Sequence, residues 1–148
     1  MYIISACLAG EKCRYNGEGK ETPWVKDIMK KKHCELVCPE EEGGLPTPRP
    51  PAERIGDRII NREGQDVTEE FIRGGEASLA KAEKTAQNLN EQIELAILKA
   101  NSPSCGCGII YDGTFTGNKV KGDGVFAAML LEKGIKVISE NQEDNINV

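Results

Sequence analysis

The chain has 148 residues, 39% of them apolar and 29% charged, with a net charge of −5. That length suits a single domain, residues 1–148, with a real core, and the acidic balance offers no basic face for DNA. No apolar run approaches the ~18 residues that a membrane span needs. The amino terminus lacks a basic segment leading into a long apolar run, so it does not read as a signal peptide. Six cysteines in such a chain point to the cytoplasm, where thiols serve metals, redox chemistry or packing more often than structural disulfides.

In chain order, Tyr2 to Cys7 predicts a first strand, and the polar, glycine-rich stretch to Gly17 a loop. Pro23 can open a helix in which Trp24, Val25, Ile28 and Met29 recur at helical spacing. The cluster Lys26, Lys30, Lys31 and Lys32 reads as its solvated face. A second strand spans Cys34 to Cys38, and Pro39 cannot extend it. Residues 39–53 are rich in proline and predict a stiff, irregular wall in which Arg49 and Glu53 are held in place. Residues 55–60 predict a small hairpin with a Gly56-Asp57 turn. Asp66-Val67-Thr68-Glu69 resembles a capping box and opens a long amphipathic helix. Its stripe is Val67, Phe71, Gly75, Leu79, Ala82, Ala86 and Leu89.

That helix delivers the chain to Ile93–Ala100, the most apolar run in the sequence, which reads as a strand buried on both faces. Residues 109–115 predict a hairpin around Asp112-Gly113. A helix follows from Val125, with Gly134 at its C′ position, then a last strand, 135–138. Ser139-Glu140-Asn141 should lie near the same sheet edge, and the acidic tail from about 141 should fray. Alternation of strands and helices gives an α/β class: a compact Rossmann-like domain, mostly parallel sheet flanked by helices, with small hairpin insertions.

Three cysteines share one placement. Cys7 ends the first strand, Cys38 the second, and Cys105 follows the buried run within Ser102-Pro103-Ser104-Cys105-Gly106. If the strands are parallel, the three thiols converge on the carboxyl edge, where open α/β sheets bind their ligands. Soft thiolates select zinc, copper(I) or iron–sulfur clusters. A structural zinc site takes closely spaced cysteine pairs and four protein ligands, and no pair here has the two-residue gap. Three lone ligands better suit a [4Fe–4S] cluster with one open iron, a Lewis acid able to hold substrate. The bland reading makes them small buried hydrophobes, and it serves for Cys13, Cys34 and Cys107, whose roles stay open. His33, the single histidine, stands in a polar setting and reads as a surface residue.

At these residues the chain resembles the family first catalogued as a domain of unknown function, which includes the 2-thiouracil desulfidases. The resemblance rests on Ser5-Ala6-Cys7-Leu8, Arg14-Tyr15-Asn16-Gly17, Cys38-Pro39-Glu40, residues 43–53, Leu98-Lys99, Ser102-Pro103-Ser104-Cys105-Gly106, Ile110-Tyr111-Asp112-Gly113 and Ser139-Glu140-Asn141. It implies a three-cysteine [4Fe–4S] cluster on Cys7, Cys38 and Cys105, and removal of sulfur from a thiolated pyrimidine base with water as the oxygen source. It implies Glu40 and Ser102 as proton-transfer and positioning groups, with Glu35 and Glu41 as neighbouring alternatives to the acid. Arg49 and Ser104 are the expected substrate contacts. The expected partners are the small-molecule base and a sulfur acceptor of unknown identity. The competing expectation is a non-catalytic metal- or sulfur-handling module, or a thiol redox protein.

Overall fold

The computed structural model describes residues 1–146. Its centre is a four-stranded, wholly parallel sheet of β1 (Tyr2–Ser5), β2 (Cys34–Val37), β5 (Leu95–Leu98) and β8 (Lys136–Ser139), ordered β2-β1-β5-β8. Two antiparallel hairpins stand outside it. One pairs β3 (Ala52–Ile55) with β4 (Arg58–Asn61), turning at Gly56-Asp57 as the sequence predicts. The other pairs β6 (Ile109–Tyr111) with β7 (Lys119–Lys121). The helices are α1 (Pro23–Met29), α2 (Pro39–Glu42), α3 (Thr68–Leu89) and α4 (Val125–Glu132).

Side chains alternate across a strand, and the core divides accordingly. Ile3, Val37, Ala96, Leu98 and Val137 face Leu79, Ala82 and Ala86 of α3 and Phe126, Ala127 and Leu130 of α4. Tyr2, Ile4, Leu95, Ile97 and Ile138 face Leu8 and α1, through Val25 and Ile28. Complete burial of a side chain such as Phe126 stabilises the fold by about 1.5–3 kcal/mol. A third, smaller cluster seats the first hairpin on α3, with Ile59 against Val67 and Phe71.

The elements correct the sequence reading in four places. β1 stops at Ser5, and Cys7 lies in the 3₁₀ turn Ala6–Ala9 that follows. Pro39 does more than end β2: it opens α2, because its fixed φ and missing N–H suit a first helical turn. The segment expected to be irregular throughout therefore begins with one turn of helix. Leu89, placed on the buried stripe of α3, is 39% exposed as the last residue of the helix, next to the left-handed Asn90 cap. The second hairpin needs residues 112–118 to reverse, a wider turn than Asp112-Gly113 alone. Beyond β8, Glu143–Asn145 form a 3₁₀ turn and Ile146 packs against the α1 side of the sheet, within the tail expected to fray. Its last two residues, 147 and 148, lie outside the described residues. Among the described residues no helix is long and apolar enough to cross a membrane.

The start of α3 also differs in detail. Asp66 sits one residue ahead of the N-terminal boundary, and its Oδ1 accepts from both the Thr68 N–H (2.9 Å) and hydroxyl (2.6 Å). Glu69 does not close the reciprocal half of the expected box.

The strand order places the site. From β1 the chain crosses by α1 to β2 on one side, then returns by α3 to β5 on the other. The crevice at the carboxyl ends of β1 and its neighbours is the switch point where α/β sheets bind ligands.

Candidate active site

Two close approaches hold the walls of this crevice. Gly74 of α3 lies so near α2 that a β-carbon there would stand 1.7 Å from the Pro39 carbonyl oxygen. Only glycine permits that crossing, and it sets the height of Cys38 and Glu40 above the sheet. Glu42 adds a tie: its Oε2 accepts from the Cys38 N–H (3.1 Å) and the Ser78 hydroxyl (2.7 Å). On the far wall, the first N–H groups of α4 have no partner inside the helix. Val125 donates to the Pro103 carbonyl (2.9 Å) and Phe126 to that of Ser104 (2.8 Å), so α4 grips the loop that carries Cys105. Gly124 makes the grip possible, since a β-carbon there would lie 2.5 Å from the Ser104 carbonyl carbon.

Between these walls is a cavity of about 450 Å³. Cys7, Cys38, Cys105, Glu40, Ser102, Arg49 and Ser104 all line it, drawn together from three strand ends and two loops. Glu35 and Glu41 do not: Glu35 bonds Thr85 of α3 (2.6 Å) and Glu41 bonds Thr47. Cys34 and Cys107 also lie off the cavity. The Cys34 thiol donates to the Lys32 carbonyl (3.3 Å), and Cys107 packs against the α3–α4 side of the core. Asn16 makes a local turn with Glu18, accepting its N–H at 3.0 Å.

Cys13 lines the cavity as well, 4% exposed, although nothing in its loop setting marks it in the sequence. It has no strand end to advertise it, only the loop that folds Arg14 and Tyr15 into the same wall. Its thiol interacts with those of Cys38 and Cys7. The Cys38 contact lowers its pKa, but the Cys7 hydrogen bond and burial outweigh that and push it up to about 12. Its carbonyl accepts from the Cys38 thiol (3.7 Å). The hydrogen bond with Cys13, then burial, likewise raises Cys38. Burial raises Cys105 to about 11 against the hydrogen bonds of Ser5 and Ser104. Burial thus favours the neutral thiol at Cys38 and Cys105, and binding a metal group there as thiolates requires the loss of those protons.

Glu40 and Arg49 form an ion pair, Nε to Oε1 at 3.0 Å, with the guanidinium 4% exposed. Arg49 also donates to the Thr47 hydroxyl (2.7 Å) and to the carbonyls of Pro46 (3.2 Å) and Cys13 (2.8 Å). Four of its five N–H groups are thus held within the protein. The other Glu40 oxygen accepts from the Ser104 hydroxyl (3.0 Å), Ser104 lies 3.2 Å from the Ser102 hydroxyl, and the Ser102 oxygen accepts from the Cys105 N–H (2.7 Å). Lys99 enters from the end of β5, paired with Glu140 beyond β8 at 3.0 Å, and Arg14, Arg62, Tyr111 and Phe115 line the cavity too.

Among the described residues, no three cysteine, histidine or acidic side chains could hold a single metal ion. A [4Fe–4S] cluster asks for something else, thiolates spaced around its body so that each binds a different iron. Separated soft donors around a shared cavity fit that demand.

Comparison with known proteins decides among these chemistries. The 2-thiouracil desulfurase family model matches residues 2–142. The chain belongs to the 2-thiouracil desulfurase family. An uncharacterized protein of Bacillus subtilis (strain 168), YbbK, is 41% identical to this family member across 99% of both chains. The solved structure of TudS, a [4Fe–4S]-dependent thiouracil desulfidase, is similar over 97% of this chain and 92% of its own, at 45% identity and a TM-score of 0.84. Family and neighbour agree with the α/β fold and with an enzyme that cleaves a carbon–sulfur bond, and they do not favour a non-catalytic module.

Proposed function

We propose that this protein is a [4Fe–4S]-dependent desulfidase acting on a thiolated pyrimidine base of the 2-thiouracil type, with Cys7, Cys38 and Cys105 as the cluster ligands. The observation that carries this is the single cavity lined by the three strand-end thiols together with Glu40 and Ser102. When bound, the cluster supplies an iron free of protein ligands, a Lewis acid that polarises the thiocarbonyl.

The chain's residues supply the rest. Glu40 takes the proton of the attacking water, and general bases of this kind contribute roughly 10²–10⁴ in rate. Arg49 fixes the carboxylate and the Cys13 carbonyl in one clamp, and its remaining N–H is the one it can offer to a base. Ser102 presents its hydroxyl where the base and the water meet and holds the Cys105 loop through the Cys105 N–H. Water replaces sulfur at the ring carbon, and the sulfur leaves as sulfide.

Anaerobic reconstitution of the full chain, followed by iron and sulfide analysis and a 2-thiouracil-to-uracil assay, tests the proposal. The expected result is about four irons per chain, and turnover that requires them. Colourless protein after reconstitution would reject the cluster. Ser102→Ala is expected to keep its iron and slow turnover by ~10²-fold or more. Full activity in that variant would reduce Ser102 to a loop former.

A further inference from the structure

We propose that Ser104 is a positioning residue that links the Glu40 carboxylate to the Ser102 hydroxyl. This inference rests on the function proposed above and moves Ser104 from the expected substrate contact to the interior of a hydrogen-bonded chain. Its side chain is 3% exposed, against a half-buried Ser102 at the cavity. Its oxygen lies 3.0 Å from Glu40 Oε2, 3.2 Å from Ser102 Oγ and 3.6 Å from Cys105 Sγ.

Counting protons orders the chain. A serine hydroxyl has one proton to donate. Glu40 Oε1 accepts from Arg49 and its Oε2 from the Ser104 hydroxyl, and a charge-assisted bond outcompetes one to a thiol. Ser104 therefore donates to Glu40, leaving its lone pairs to accept. Ser102 already accepts the Cys105 N–H at 2.7 Å, so its own proton is free to point at Ser104. The direction is fixed as Ser102 to Ser104 to Glu40, and the remaining lone pair of Ser102 faces outward as an acceptor. A proton delivered to Ser102 displaces the Ser102 proton to Ser104 and the Ser104 proton to Glu40. Both serines end neutral and the carboxyl ends protonated, so the balance closes within the chain.

The test is a double-mutant cycle on the reconstituted full chain: Ser104→Ala, Glu40→Gln and both together, with iron content, 2-thiouracil affinity, kcat and KM measured for each. Ser104→Ala is expected to keep its iron and its affinity and to lose ~10-fold or more in kcat. Because Ser104 acts through Glu40, adding Ser104→Ala to Glu40→Gln should change kcat by less than about twofold. In heavy water, the solvent isotope effect on kcat should shrink in Ser104→Ala. Independent, multiplicative losses would overturn the link, as would wild-type kcat in Ser104→Ala. A raised KM at unchanged kcat would return Ser104 to the substrate, and loss of iron would assign it to the Cys105 loop; either outcome also overturns the link. Wild-type kcat in Glu40→Gln would instead remove Glu40 from the proposed function, an outcome separable from the others.

Discussion

Four of the six thiols line the cavity and two do not, and burial separates them less well than direction does. Cys107 is two residues from Cys105 and on spacing alone is its natural rival. The chain turns between them: Cys105 is buried and lines the cavity, whereas Cys107, half-buried, packs against the core away from it. Cys13, distant in sequence from Cys38 and Cys105, is the fourth thiol at the cavity, beside Cys7, Cys38 and Cys105. We expect Cys105→Ser to abolish the bound iron, and Cys34→Ser and Cys107→Ser to retain both iron and thiouracil turnover. Cys13→Ser is expected to retain them also, since three thiolates leave one iron free for substrate whereas four would saturate the cluster. Iron and sulfide analysis of each variant under nitrogen decides this. Bleaching of Cys13→Ser alone would put Cys13 among the ligands.

Elements matter here for where they touch. The crossing of α2 on α3 leaves no room for a side chain at Gly74, and α2 carries Glu40. Gly74→Ala is expected to destabilise the fold by about 1–3 kcal/mol, as overpacking does, and to reduce activity in the surviving folded fraction by tilting Glu40 from Ser104. A denaturant melt and a kcat measurement on the same preparation test both halves, and wild-type values in both would show that the helices can slide apart without consequence. The start of α3 gives a pH-dependent counterpart. The Thr68 hydroxyl and N–H, followed by Arg58, hold Asp66 at about 2, below its ordinary 3.8. A carboxyl depressed on folding contributes stability that is fully present above the ordinary value and lost as pH falls through the folded one. The Tm gap between wild type and Asp66→Asn should therefore be widest near neutral pH and close between pH ~4 and ~2. A gap that persists at the acid end would mean that Asp66 acts by shape and not by charge.

At the scale of the whole molecule, aliphatic and aromatic side chains make up most of the two apolar clusters on the sheet, with Cys7, Cys13 and Cys105 buried among them and Cys34, Cys38 and Cys107 packed against them. Stripping iron with a chelator should thus leave a folded protein with a cooperative melt. A group that binds only the folded state adds stability by mass action. The reconstituted protein should melt above the stripped one, at about 2–4 °C for each kcal/mol gained in a chain of this size. Cys105→Ser should show no such difference. Loss of cooperativity on stripping would mean that the cluster is part of the core.

The strands, their parallel sheet and the convergence of Cys7, Cys38 and Cys105 are legible in the order of residues alone. Apolar runs such as Ile93–Ala100 announce burial on both faces, and breaks such as Pro39 announce where a strand stops. Those signals are local, because periodicity and chain punctuation act over a few residues. Long-range packing brings Glu40, and neither Glu35 nor Glu41, to the cavity, and Cys13 but not Cys107. It also clamps Arg49 on Glu40 and brings Ser104 to that carboxylate across 64 residues of chain. Each of these depends on contacts between segments far apart in sequence: α2 on α3 through Gly74, and the Cys105 loop on α4 through Gly124. Hydropathy and spacing do not encode such crossings, since a single missing β-carbon sets the approach of two backbones.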